Sequence, residues 1–151
     1  MNNHDELQKA IQFVERCSLA ALATISPEGV PYASAIHVVV DVNLSFYFVT
    51  KAETAKWEHI QRSPLVALVI TNDDTRQTLQ VQGLASSGLT TELEISIINK
   101  FAAFPEASLH PEWKLPSRQL TGGEYVIVKI EPTWARLASF QGNKPVFMQI
   151  V

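Results

Sequence analysis

Short β-rich runs, each closed by a tight turn signal, follow one another along this chain with few helical stretches between them. That succession constrains the fold more than any other feature. Leu19 to Ile25 is a compact apolar run closed by Ser26-Pro27-Glu28-Gly29, with Pro and Gly where a tight reversal needs them. Tyr32 to Val42 continues as β-rich sequence, so the two runs read as a hairpin. Asp41-Val42-Asn43 offers the next reversal, and Leu44 to Val49 supplies a third strand rich in Phe, Tyr and Val. Leu65 to Thr71 reads as a fourth strand and Asn72 to Arg76 as a polar turn. Thr78 to Ser86 alternates, with Leu79, Val81 and Gly83 on one face and Gln80 and Gln82 on the other, which makes a fifth. Glu124 to Ile130 and Trp134 to Phe140 complete the inventory, and Glu131-Pro132 is expected to end one and turn into the next. Seven strands without alternating βαβ units predict a mainly β fold, a small antiparallel barrel with flanking helices, rather than a doubly wound sheet.

Three segments carry helical spacing. Asp5 to Cys17 places Leu7, Ala10, Ile11 and Val14 on one stripe, Glu53 to Arg62 is short and polar, and Thr90 to Phe104 carries Leu93, Ile97, Phe101 and Phe104 at helical intervals. The stretch holding Pro105, Pro111 and Pro116 reads as irregular. With 151 residues, 46% of them apolar, one domain over 1–151 is expected to bury a full core. A formal charge of -3 gives no broad field for nucleic acid or an anionic membrane, so an anion has to be bound locally. No apolar run approaches the roughly 20 residues of a membrane span, and the polar start, Met1 to Glu6, is unlike a signal peptide, so a cytoplasmic location is expected. The single Cys17 has no partner for an internal disulfide and reads as packing.

The chemistry concentrates in two places. Phe48-Val49-Thr50-Lys51-Ala52-Glu53-Thr54-Ala55-Lys56 runs from a strand into a helix start, where free backbone N–H groups, the helix dipole and a lysine one turn in favour a phosphate. The same residues also read as plain capping, because Thr50-x-x-Glu53 matches a capping box. In Tyr32-Ala33-Ser34-Ala35-Ile36-His37, small side chains let a flat ligand approach the backbone closely; alternatively Ala33 and Ala35 pack under a helix and Ser34 faces water. His4, His37, His59 and His110 have no metal-type spacing with Cys or carboxylates. There is no G-x-S-x-G elbow and no glycine-rich loop of the P-loop or dinucleotide type. Trp57, Trp113 and Trp134 are scattered over different elements and read as core or interface.

The order of several pieces resembles the pyridoxamine 5'-phosphate oxidase-like, FMN-binding split-barrel family over nearly the whole chain. They are Leu22-Ala23-Thr24 with Glu28-Gly29-Val30-Pro31, Phe46 to Thr50, Thr54-Ala55-Lys56, Ser63-Pro64, Val81-Gln82-Gly83 and Ile130-Glu131-Pro132. The resemblance implies a homodimer with FMN sites across the subunit interface. It implies Thr50, Lys51 and Lys56 as phosphate ligands, Ser34, Ala35, Ile36 and His37 along the flavin ring, and Thr78 and Gln80 as polar contacts at the ring edge. Ser139-Phe140-Gln141-Gly142 is similar to an aromatic-Gln-Gly stretch that relatives present to the partner subunit's cofactor, which makes Phe140 a further candidate. The chain departs from the name-giving oxidases at Ser34 and Ala55, where they carry arginine, and Asn143 to Val151 has no match for the arginine and histidine that hold the vitamin. The resemblance therefore implies a flavoprotein oxidoreductase for a small, planar organic substrate rather than an oxidase of vitamin B6 phosphates. A flavin-storing module without turnover, or a split barrel holding deazaflavin or haem with His37 as the nearest histidine, are the alternatives.

Overall fold

A computed structural model describes residues 3–103 and 124–151. The opening helix α1, Asn3–Arg16, buries Ala10, Ile11 and Val14 as its apolar stripe requires, and Phe13 with them. Strands β1, Leu19–Ile25, and β2, Pro31–His37, form the expected hairpin. Its turn is closed by Gly29 N–H to Ser26 O at 2.9 Å and Val30 N–H to Ser26 Oγ at 3.1 Å, with Gly29 at a φ of 78° that favours glycine.

The second expected strand does not run unbroken from Tyr32 to Val42. It divides at Val38 into β2 and a two-residue strand β3, Val39–Val40. β2 pairs with β1, whereas β3 pairs with β4, Phe46–Lys51, through Val39 with Tyr47 and Val40 with Phe46. The reversal between β3 and β4 is the predicted one. Asp41 Oδ1 accepts from the N–H groups of Asn43 and Ser45 at 2.9 and 3.0 Å, and its Oδ2 accepts from the Tyr47 hydroxyl at 2.9 Å.

Helix α2, Ala55–Arg62, leads to β5, Leu65–Asn72, and β6, Gln77–Ser86; helix α3, Thr91–Ala102, precedes β7, Tyr125–Ser139, and β8, Val146–Gln149. All pairings are antiparallel, in the order β2-β1-β5-β6-β7-β4-β3, with β8 added to β7. The first and last strands of that order are consecutive in the chain. The sheet therefore curls on itself as a split β-barrel, mainly β with helices at its margins.

Two sequence expectations need correction. Glu131-Pro132 does not end a strand: β7 runs through it, and the register against β6 shifts between Gln82 and Gly83, leaving Thr133 as an extra residue. A proline is tolerated at such a bulge because no ladder hydrogen bond is required of it. Thr133 Oγ1 donates to Gln82 O at 3.3 Å, and the strand bends where a break was expected. The last strand, β8, was not foreseen because four residues after Pro145 carry no alternation long enough to read. The Pro105, Pro111 and Pro116 stretch, Phe104, His110 and Trp113 lie outside the described residues.

Phe46 and Phe48 of β4 meet Leu22, Leu68, Ile70, Leu79, Val128, Ile130 and Leu137 inside the curl. A second cluster, Val39, Tyr47, Ile97 and Phe101, seats α3 on the other face of β4. Thr90 caps α3, its Oγ1 accepting from Leu93 N–H at 3.3 Å. No helix among the described residues is long and apolar enough to cross a membrane.

At the bulge, a Cβ on Gly83 would stand 2.6 Å from Glu131 O and 2.9 Å from Ile130 Cγ2. Gly83→Ala is expected to destabilise the protein by about 1–3 kcal/mol, since backbone cannot move aside as a flexible side chain can. Urea unfolding checks this, and an unchanged midpoint contradicts the tight bulge.

Candidate functional site

Before Val38 the chain pairs with β1 and beyond it with β4, where β3 reaches only Phe46 and Tyr47, so Phe48 to Lys51 pair only with β7, from Phe48 with Val128 to Lys51 with Tyr125. This is the split, and the N-terminus of α2 stands at its end. Thr50 is buried at 4% exposure, while Lys51, the next residue on an alternating strand, points the other way and is exposed. Thr54 Oγ1 donates to Lys51 O at 2.9 Å, so its contact with Thr50 Oγ1 at 3.0 Å is one in which Thr50 donates.

That arrangement corrects the capping-box reading. The N-cap of α2 is Thr54, its side chain makes no cap hydrogen bond, and Thr50 and Glu53 both lie before the helix. Trp57 and Glu58 N–H groups go to Thr54 O, which leaves those of Ala55 and Lys56 without a partner among the described residues. Two open N–H groups at a helix start attract an anion. Lys56 is half-buried and makes no ion pair among the described residues, and burial pushes its ammonium pKa down. An anion at this junction would offset that cost.

Lys56, His59 and Ile60 are spaced i, i+3 and i+4 on α2, which packs against β1. His59 is buried, with Nδ1 3.0 Å from Thr24 Oγ1 and its ring edge-on to Tyr32 at 5.4 Å. Tyr32, Ser34 and Ile36 share one face of β2, opposite Thr24, Leu22 and Ala20 of β1. Ser34 Oγ is buried with no hydrogen-bond partner among the described residues, a donor left open on this face. This reverses the bland reading of β2: Ser34 turns inward, and Ala33 and Ala35 are exposed rather than packed under a helix.

The opposite face of the sheet carries the other candidates. Ala35 and His37 of β2 lie across from Ala21 and Leu19 of β1, and Gln80 of β6 lies between Val69 of β5 and Arg136 of β7. A groove of about 510 Å³ crosses this face, floored by Ala21, Ala23, Ala33 and Ala67 and walled by Gln80 and Trp134. Its size falls within the range of small-molecule sites. His37 Nδ1 stands 3.1 Å from Ser18 Oγ, and burial lowers the pKa of its ring, which favours the neutral imidazole.

The ten residues expected from sequence thus divide. Ser34, Ile36 and Thr50 face inward, with Ile36 within the core; Ala35, His37, Thr78 and Gln80 face outward; Lys56 sits on α2. Lys51 is exposed on the far side of β4 from Thr50. Phe140 lies past the end of β7, edge-on to Phe147 at 6.2 Å, and its N–H donates to Arg76 O at 2.9 Å. Sequence reasoning missed Arg136. A signal was present: Trp134 and Arg136 are two apart on a strand, which puts both on the face that holds Gln80.

Solved structures with the same fold carry different cofactor chemistries. The chain is similar to a pyridoxamine 5'-phosphate oxidase-related, FMN-binding protein from Nostoc punctiforme, with 13% identity over 97% of this chain and 94% of that one and a TM-score of 0.63. An F420 reductase is similar with 22% identity over 82% and 93% of the two chains and a TM-score of 0.58. A heme binding protein from Mycobacterium smegmatis is similar with 13% identity over 99% of this chain and 58% of that one and a TM-score of 0.70. No curated protein matches the sequence. Residues 7–137, from within α1 to the end of the β7 core, match the family model for pyridoxamine 5'-phosphate oxidase, and the chain belongs to that family.

Proposed function

We propose that this protein is a cytoplasmic, homodimeric flavoprotein that binds FMN and transfers electrons between it and a small planar organic molecule. The observation that carries the reading is the junction of β4 with α2. Open N–H groups of Ala55 and Lys56, the half-buried Lys56 ammonium and the unpartnered Ser34 Oγ are the donors a flavin phosphate needs. The exposed alanine floor of the neighbouring face suits a flat ring, with Gln80 as a polar contact at its edge.

A bound flavin supplies the electron chemistry, and this chain supplies position and exclusion of water. Thr50, held by Thr54, fixes the end of β4, so the α2 N-terminus is pre-set rather than ordered at the moment of binding. The exposed large apolar side chains Leu19, Tyr32, Leu65 and Leu84 are consistent with burial against a second copy. Ser34 and Ala55 stand where the name-giving oxidases have arginines. Each missing charge-assisted bond is worth about 1.5–3 kcal/mol, so FMN is held more weakly here than in an oxidase with both.

Lys56→Ala is expected to raise the Kd for FMN about 10- to 100-fold while leaving riboflavin, which lacks the phosphate, unchanged. Quenching of flavin fluorescence measures both, and equal effects on the two ligands would place the phosphate elsewhere. Ala55 is exposed at the first turn of α2, so an arginine fits there. Ala55→Arg is expected to tighten FMN by about tenfold or more in the same titration, and no gain contradicts the assignment of the helix start. Bleaching of the bound flavin by NAD(P)H under anaerobic conditions is the expected sign of an oxidoreductase. A flavin that NAD(P)H and small reductants leave oxidised favours a storage role.

A further inference from the structure

Among the described residues, Arg136 is the one cation that lines the outer groove, and no carboxylate balances its charge. Its guanidinium carbon lies 5.5 Å from the Trp134 ring centroid and 4.9 Å from that of Phe147, so aromatic rings of β7 and β8 fix its plane. Nη2 donates to Gln80 Oε1 at 2.7 Å, which fixes its reach. Nε is buried and has no hydrogen-bond partner, and no carboxylate pairs with this arginine among the described residues. A structural arginine has its donors used; this one is oriented with donors left over.

We propose that Arg136 is the anion-binding residue of the groove, and that the molecule taken there beside the cofactor is a planar organic carboxylate, its acid group on the guanidinium and its flat body against the flavin ring. The inference rests on the flavin reading and narrows its substrate class. The fork of a guanidinium matches the two oxygens of a carboxylate and holds it with a defined direction. A phosphate dianion fits less well, because the other polar groups lining the groove, Gln80 and Gln82, are neutral and no second cation lines it among the described residues. Ala21, Ala23, Ala33 and Ala67 present no side chain long enough to lift the flavin ring off the floor, which leaves the ring's outer side to the acid.

The test uses benzoate and its neutral isostere benzamide as probes, titrated calorimetrically into the FMN-loaded protein and into the protein without FMN. Benzoate is expected to bind the loaded protein about tenfold or more tightly than benzamide. Arg136→Gln is expected to abolish that preference while leaving the Kd for FMN unchanged. Equal binding of acid and amide to the unaltered protein overturns the inference and leaves the flavin reading standing; this comparison needs no variant, so a misfolded Arg136→Gln does not disable it. A loss of FMN affinity in Arg136→Gln comparable to the loss of preference assigns the guanidinium to the flavin and overturns the inference as well. Failure of the unaltered protein to bind FMN defeats the flavin reading itself, whatever the probes do.

Discussion

The barrel depends on how one short stretch of chain serves two edges of the sheet. Val38 is fully buried, its N–H donates to Ser18 O at 2.9 Å, and the residues on either side of it pair with different strands, β1 before and β4 after. A seam joined by chain continuity over a few residues cannot zip along its full length. It leaves β4 unpaired on one side from Phe48 onward, and the start of α2 is delivered to that gap. The opening is a consequence of closure by topology, and the polar groups gathered there, Thr50, Thr54 and Lys56, follow directly from it in sequence.

The two faces of the sheet differ in character. The inner face carries the apolar core and, at the split, the unpartnered Ser34 Oγ; the outer face is floored with alanine and bordered by Gln80, Trp134 and Arg136. A phosphate wants charge and N–H donors, whereas a flat ring wants small, flat neighbours. In the proposed site the start of α2 offers the first through Ala55 and Lys56, and strand alternation on β2 turns Ser34 to one side and the small Ala33 and Ala35 to the other.

Much of this is legible in the sequence where a local rule decides it. The first hairpin, the Asp41 reversal and the alternation of β6 follow from turn chemistry and period. The division at Val38 is not legible, because Tyr32 to Val42 has uniform strand character and only the partner strands decide where it splits. Pro132 misleads for a related reason: its missing N–H forbids a ladder bond but not a bulge, and Gly83 opposite makes the bulge possible. The capping-box reading of Thr50 and Glu53 fails because the helix starts later, at Ala55. Arg136 escaped because its importance lies in what surrounds it, Gln80 from β6 and Phe147 from β8, and neither is near it in the chain.

The central claim is that the split and the alanine face together form one flavin site completed by a second copy of the chain. Size-exclusion chromatography of FMN-loaded protein, with light scattering and flavin absorbance recorded on the same peak, tests it most directly. The account predicts a mass of two subunits carrying one flavin per subunit. A monomer that retains stoichiometric flavin, or a dimer that retains none at saturating FMN, contradicts it.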